Sequence, residues 1–222
     1  MITGNNFIKE NRWDYENGFY LTSDITRIPK MLAHYELYKK IVNLPGHIIE
    51  FGVYKGVSLV QWLTFREILE SRFSRIVFGF DIFGEFPKQE LTLPADLSFV
   101  SSFENAGGDG FTQEAIHLFL KDKGFANFEL IQGNINNTLP EFLSAHPEYR
   151  FSLIHIDIDV YEPSKLILNL LKDRIVKGGI FVLDDYGKVA GETIAVDEFD
   201  KQGFSPIQKL PISHIPSYFT KL

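Results

Sequence analysis

The chain has 222 residues, with 22 Lys and Arg against 29 Asp and Glu, a formal charge of −7, and no cysteine. The acid excess argues against a nucleic-acid binder, which presents a basic face, and the missing thiols exclude a disulfide framework, a thiolate zinc site and a cysteine nucleophile. With 45% hydrophobic and 23% charged residues and no apolar run near the roughly 20 residues that cross a bilayer, one folded domain over 1–222 is expected, cytoplasmic and without membrane insertion.

The N-terminal stretch to Lys40 reads as helical, because MLAHYELYKKIV has helical spacing, and residues 1–45 are expected to form a helical cap over a site. Five short apolar runs follow: HIIEFGV at 47–53, RIVFGFDIF at 75–83, FELIQG at 128–133, FSLIHIDID at 151–159 and GGIFVLDD at 178–185. Each lacks clean alternation, the pattern of a strand covered on both faces. Helical patterns stand between them: VSLVQWLTFREILESRF after the first, FTQEAIHLFLKDKG before the third, TLPEFLSAH after it, and PSKLILNLLKDRIVKGG after the fourth, with basic residues and glycine at its end. Residues 84–110, with Pro87, Pro94 and AGGDG, interrupt the alternation and read as a long loop or lid. TIAVDEFDKQG reads as a last helix, and SPIQKLPI and PSYFTKL as two short strands or an irregular pair. Alternating strands and helices imply βαβ units and a parallel sheet with right-handed crossovers.

Two constellations carry chemistry. Glu50-Phe51-Gly52-Val53-Tyr54-Lys55-Gly56-Val57-Ser58 puts two glycines and a serine where a buried strand turns into a helix. Gly52 lets backbone approach a ligand, Gly56 permits a tight helix entry, and Ser58 sits in the first turn, whose free N–H groups attract a carboxylate. The spacing E-x-G-x-x-x-G is not the dinucleotide fingerprint G-x-G-x-x-G. Asp81 ends the second run 29 positions after Gly52, where a doubly wound fold places its ribose-binding acid. Ordinary turn glycines and a loop-capping Asp81 would explain this equally, but Glu50 lies inside an apolar strand and requires a partner, which favours a ligand site.

The second constellation is His155-Ile156-Asp157-Ile158-Asp159 ending the fourth run and Leu183-Asp184-Asp185-Tyr186 ending the fifth. Adjacent parallel strands lie ~4.8 Å apart, so acids at their carboxyl ends converge on one oxygen-liganded cation, magnesium being the simplest. Asp157 and Asp159, two apart, face the same side of a regular strand, and one can hold metal while the other takes a proton. The competing reading has Asp159 and Asp185 cap the helices that follow them; two acidic pairs ending two apolar strands weigh against it. His155 is more simply a satisfied core histidine. Tyr161, Tyr186 and His146 are candidates for the pocket wall that no spacing pattern supports.

Together IEFGVYKGVS, GFDIFGEFP, LIHIDIDVYEPS, VKGGIFVLDDYG and AVDEF resemble class I S-adenosylmethionine-dependent methyltransferases, specifically the macrocin O-methyltransferase family of sugar and natural-product enzymes. EFGVYKGVS is also similar to the E-x-G-x-Y-x-G-x-S of the magnesium-dependent catechol-type O-methyltransferases. The resemblance implies a Rossmann-like α/β fold with a mainly parallel seven-stranded sheet and helices on both faces. It implies S-adenosylmethionine held by Glu50, Phe51, Gly52, Val53, Tyr54, Gly56 and Ser58, with Asp81 and Ile82 at the ribose, Gly133, Asn134 and Ile135 at the adenine, and Asp157 alongside. Asn134 departs from the acid that the family often carries there. Asp157, Asp184 and Asp185 match metal ligands, and Asp159, with Asp157, the catalytic acids, Asp159 as general base.

The implied activity is Mg2+-dependent methyl transfer to a hydroxyl of a sugar or a glycosylated or polyketide-like small molecule, by a homodimer or larger homo-oligomer, with 84–110 as the lid that selects the acceptor. Phe99, Phe103 and Phe111 there either stack on a sugar or merely pack. Two other readings are an NAD(P)-dependent sugar oxidoreductase, disfavoured by the absent fingerprint, and a cofactor-binding subunit without catalysis.

Overall fold

Seven strands form one sheet in the order β3-β2-β1-β4-β5-β7-β6. In the computed structural model, which describes residues 8–108 and 110–222, these are β1 (His47–Phe51), β2 (Val77–Asp81), β3 (Phe128–Gln132), β4 (Phe151–Ile156), β5 (Ile175–Leu183), β6 (Gln208–Lys209) and β7 (Ser217–Thr220). Residues 1–7 of the expected cap and Asp109 of the expected lid lie outside the described residues. The first five strands are parallel, and β7 enters antiparallel between β5 and β6. This is the Rossmann-like α/β arrangement expected.

The helices are α1 (Arg12–Thr22), α2 (Arg27–Lys39), α3 (Val57–Leu69), α4 (Pro94–Gly107), α5 (Gln113–Asp122), α6 (Ile135–Ala145), α7 (Tyr161–Leu171) and α8 (Ala190–Glu198). Side chains from α2, α3 and α5, among them Leu37, Trp62 and Leu120, pack on the sheet face that presents Ile48, Leu153 and Val182. Those from α6, α7 and α8, among them Leu139, Leu168 and Val196, pack on the face that presents Ile49, Ile154 and Phe181. Successive strand residues feed opposite faces and both are covered, so the runs are apolar throughout.

Three elements differ from expectation. Residues 84–110 contain a 3-10 turn at Lys88–Glu90 and the helix α4 rather than a long loop, with Pro94 at the first helical position, where its missing N–H costs nothing. The fourth helix stops at Leu171, and Ile175 already begins β5. Ile175 pairs with Phe151 and Ile180 with Leu153, so the intervening KGG segment bulges out of the ladder, where a helical end was expected. Strand β4 ends at Ile156, and Asp159 takes a left-handed backbone conformation (φ +65°), so Asp157 and Asp159 are not same-face residues of a regular strand.

The amino edge of the sheet is closed by two buried arginines. Arg75 donates to the carbonyls of Ile41, Leu44 and Gly46 at 3.0–3.2 Å, to Ser152 Oγ and to Glu70 Oε2. Arg66 donates to the carbonyls of Arg75, Ala126 and Asn127 at 2.6–3.0 Å. These contacts satisfy carbonyls that would otherwise be orphaned in the connections.

The carboxyl edge depends on one glycine. Gly52 has φ +90°, and a Cβ there would stand 1.7 Å from the Asp157 carbonyl oxygen, because the chain crosses closest where β1 and β4 part. Gly52→Ala is expected to destabilise the protein by on the order of 4 kcal/mol. Denaturant unfolding checks this, and a loss under about 1 kcal/mol would contradict the close approach.

Candidate active site at the carboxyl edge of the sheet

Beyond the carboxyl ends of β1, β2, β4 and β5 lies a cavity of about 1300 Å³. This is the crevice at the topological switch point, where parallel neighbours of β1 lead off in opposite directions. Gly52, Val53, Tyr54, Ser58, Asp81, Ile82, Gly133, Asn134, Ile135, Asp157, Asp159, Asp184 and Asp185 all line it. Three expected contact residues do not. Phe51 packs in the core, Gly56 lies under Ile116, and Glu50 is fully buried, reaching the wall only through Ser58, whose hydroxyl donates to Glu50 Oε1 at 2.9 Å.

The turn after β1 is ordered by Asp81. Its Oδ2 accepts from the N–H groups of Val53 (2.7 Å) and Tyr54 (2.8 Å), and its Oδ1 from that of Phe83 (2.7 Å). Of about four lone-pair positions on a carboxylate, one remains for a ligand hydroxyl. Tyr54, Phe83 and Asp159 all have φ between +50° and +65°, and all three line the cavity. Non-glycine residues held in that region concentrate at functional sites.

Asp157, Asp184 and Asp185 offer carboxylate oxygens within 4.8 Å of one another. Asp184 is buried. Lys30 of α2 donates to its Oδ2 at 2.6 Å, and the ring nitrogens of His155 and His34 stand 3.5 and 3.7 Å from its Oδ1. Burial opposes the Asp184 charge, yet the imidazoles and the Lys30 ammonium hold its carboxyl well below the ordinary range. The neighbours go the other way. Burial and the Asp184 charge push Asp157 up, burial and Asp157 push Asp159 up to about 7, and burial and Asp159 push Asp185 up to about 9. Glu192 at the start of α8, also raised by burial and by Asp185, accepts from the Asp185 N–H at 3.2 Å.

Asp185 Oδ2 is buried without a hydrogen-bond partner, beside the carboxylates of Asp157 and Asp184. A hard divalent cation is the group such oxygens fit, by charge and by donor type. Neither Asp159 nor Asp185 caps a helix: the residues preceding α7 and α8 are Val160 and Val189, and the Tyr161 N–H is taken instead by Asp96 Oδ2 at 2.8 Å. His155 is buried as a core histidine would be, but it stands between two acids, Nδ1 3.5 Å from Glu50 Oε2 and Nε2 3.5 Å from Asp184 Oδ1. Burial works against its charge, and Asp184 and Glu50 overcome this and push it up to about 10.

The expected lid is tied down at both ends of α4. Tyr54 Oη and Lys55 Nζ both donate to the Gly107 carbonyl at its C-terminus, and buried Asp96 joins its first turn to α7. Gly191 leaves room for that junction, since a Cβ there would meet Asp96 Oδ1 at 2.4 Å. Phe99, Phe103 and Phe111 line the cavity, and Tyr161, Tyr186 and His146 do not. Tyr161 and Tyr186 donate to Glu198 and Asp197, and His146 stacks on Tyr149.

Lys30, His34, Asp96 and Glu192 were not singled out from the sequence. Lys30 and His34 carried a signal, because they fall on the helical stripe that continues through Leu37 and Ile41, where apolar residues are expected.

Residues 27–218 match the family model described as macrocin-O-methyltransferase (TylF). No curated protein matches the sequence. Among solved structures, the calicheamicin methyltransferase CalS11 is 23% identical with a TM-score of 0.69, over 99% of this chain and 88% of that one. The O-methyltransferase NovP is 18% identical with a TM-score of 0.71, over 87% of this chain and 80% of that one. An apo form of CalS11, described as a TDP-rhamnose 3'-O-methyltransferase, gives 24% and 0.67 over 99% and 89%.

The acid cluster makes stability depend on pH. Asp159, Asp185 and Glu192 have folded pKa values above their unfolded ones, so the folded state binds more protons and stability falls as pH rises through the folded values. In EDTA, Tm is expected to fall between about pH 5 and about pH 9, with Asp185→Asn flattening the slope. Added Mg2+ should raise Tm more at the upper end, where fewer protons must leave. A wild-type Tm that stays flat or climbs over this range in EDTA would contradict the cluster.

Proposed function

The chain belongs to the macrocin-O-methyltransferase family, and from that premise we propose that it transfers a methyl group from S-adenosylmethionine to a hydroxyl of a sugar or glycosylated small molecule, with Mg2+ at Asp157, Asp184 and Asp185. The observation that carries this reading is the junction at Gly52 and Asp157. The glycine turn and the three-carboxylate cluster open into the same cavity, so a donor on one and an acceptor on the other meet.

The backbone at Gly52, with Tyr54 and Ser58, would hold the methionine part. Asp81, fixed by three amides, offers its remaining acceptor position to the ribose, and Ile82, Gly133, Asn134 and Ile135 line the adenine end. When bound, Mg2+ supplies Lewis-acid polarisation of the acceptor hydroxyl and compensates the crowded acids. Asp159, pushed up to about 7, is matched to taking the hydroxyl proton near neutral pH. The oxygen then takes the methyl group as the carbon–sulfur bond breaks and its electron pair stays on sulfur. Lys30 holds Asp184 in place and Glu192 holds the Asp185 backbone, so the ligand set is fixed before an ion arrives.

Helix α4 and the turn before it act as the lid, and α1 and α2 as the cap. The 1300 Å³ cavity exceeds what one cofactor fills and leaves space for a sizeable acceptor beneath Phe99 and Phe103. Helix α1 buries none of its residues and presents Trp13, Phe19, Tyr20 and Leu21. Such a patch supports self-association. No helix is long and apolar enough to cross a membrane among the described residues.

Asp157→Asn, Asp184→Asn and Asp185→Asn are each expected to abolish Mg2+-dependent transfer of a labelled methyl group to a pool of sugar nucleotides and glycosides, as EDTA does, while calorimetric binding of S-adenosylmethionine changes by less than about threefold. Asp159→Asn should keep both binding events and lose about 10²–10⁴-fold in turnover. Undiminished turnover in EDTA would remove the metal, and undiminished turnover of Asp159→Asn would remove the base.

A further inference from the structure

The adenine end of the cavity has a polarity that the wall itself does not explain. Asn134 precedes α6, and its Oδ1 accepts from the Asn136 N–H at 2.9 Å, which turns its Nδ2 outward as a donor. Asn136 likewise presents Nδ2. The Gly133 N–H is already committed to the Asp81 carbonyl at 3.0 Å. Both asparagines therefore turn an amide donor toward the 3-10 turn, whereas the exocyclic amine of adenine is itself a donor and needs an acceptor.

Glu90, from the 3-10 turn that begins the lid, reverses that polarity. Its Oε1 accepts from Asn134 Nδ2 and its Oε2 from Asn136 Nδ2, both at 2.7 Å, and it lines the cavity with Gly133, Asn134 and Ile135. The two amides hold its carboxyl below the ordinary range, so it is an anion at neutral pH. Each oxygen keeps a second lone pair. Glu90 is otherwise exposed, and the turn that carries it makes no apolar contribution to the core.

Resting on the cofactor reading above, we infer that Glu90 is the acceptor for the exocyclic amine of the bound adenine, with Asn134 and Asn136 orienting its carboxylate. The acid is thus supplied by the lid rather than by the strand end. One carboxylate then does two things: it selects an amino purine over an oxo purine, whose exocyclic oxygen would face a negative charge, and it links lid position to cofactor occupancy.

Calorimetry with S-adenosylhomocysteine and S-inosylhomocysteine tests this on the whole chain, without turnover. The wild type should prefer the adenosine compound by about tenfold or more, the size of one hydrogen bond to a charged acceptor. Glu90→Ala should bind the two within about threefold of each other, and Glu90→Gln, which keeps one acceptor oxygen without the charge, should fall between. An adenosine preference in Glu90→Ala equal to that of the wild type overturns the assignment, as does a wild type that binds both equally. Binding of neither compound to the wild type removes the cofactor reading and the assignment with it, an outcome distinct from binding with unchanged preference.

Discussion

Five carboxylates, Asp157, Asp159, Asp184, Asp185 and Glu192, converge beyond β4 and β5, and the arrangement of everything around them follows from keeping that repulsion tolerable. The protein meets it unevenly. Asp184, the most enclosed of the strand-end acids, receives Lys30 and faces His34 and His155, which hold its carboxyl low, while burial and the neighbouring acids raise those of Asp157, Asp159 and Asp185. The acids thus differ in how readily they ionise, and a cation entering among them favours the charged form of each.

The same demand explains why helices remote in sequence meet here. Lys30 and His34 bring α2 to the end of β5, joining the N-terminal region to the cluster by an ion pair as well as by apolar packing. From the other side, Ser58, Glu50 and His155 run as a polar chain from the turn after β1 to Asp184. A buried charge lacking any one of these partners would be costly, so α2, the turn after β1 and the cluster are mutually dependent. Asp96 performs a similar service for α4, giving it a polar anchor on α7 where few of its apolar residues are buried.

Much of this was legible in the sequence because parallel strands covered on both faces leave an unmistakable record: short apolar runs ended by glycine or acid. The turn at 52–58 and the acids at 157–159 and 184–185 could be placed at one edge on that ground alone. What escaped depended on partners distant in the chain. Leu97, Val100 and Phe103 carry a helical spacing that Pro94 and the glycine cluster obscured, and the burial of Asp96 is decided by α7 and α8 rather than by its neighbours in sequence. KGG looked like a helix end because glycine after lysine serves a cap and a bulge alike. Lys30 and His34 look like ordinary polar residues of a helix until their stripe is traced onto the Asp184 carboxylate.

The two arginines at the amino edge give the molecule a mechanical asymmetry. Arg75 gathers carbonyls from the α2–β1 connection together with Glu70 and Ser152, and Arg66 adds those from the connections before β2 and β3. That rim is stitched by charge-assisted bonds from buried guanidinium groups to carbonyls, while the opposite rim is held by carboxylates: Asp184 on Lys30, Asp96 on the Tyr161 N–H and Asp81 on the amides of the turn after β1. The connections gathered at the arginine rim therefore have backbone carbonyls bonded to buried guanidinium groups, and hydrogen exchange in them is expected to follow the global opening of the domain.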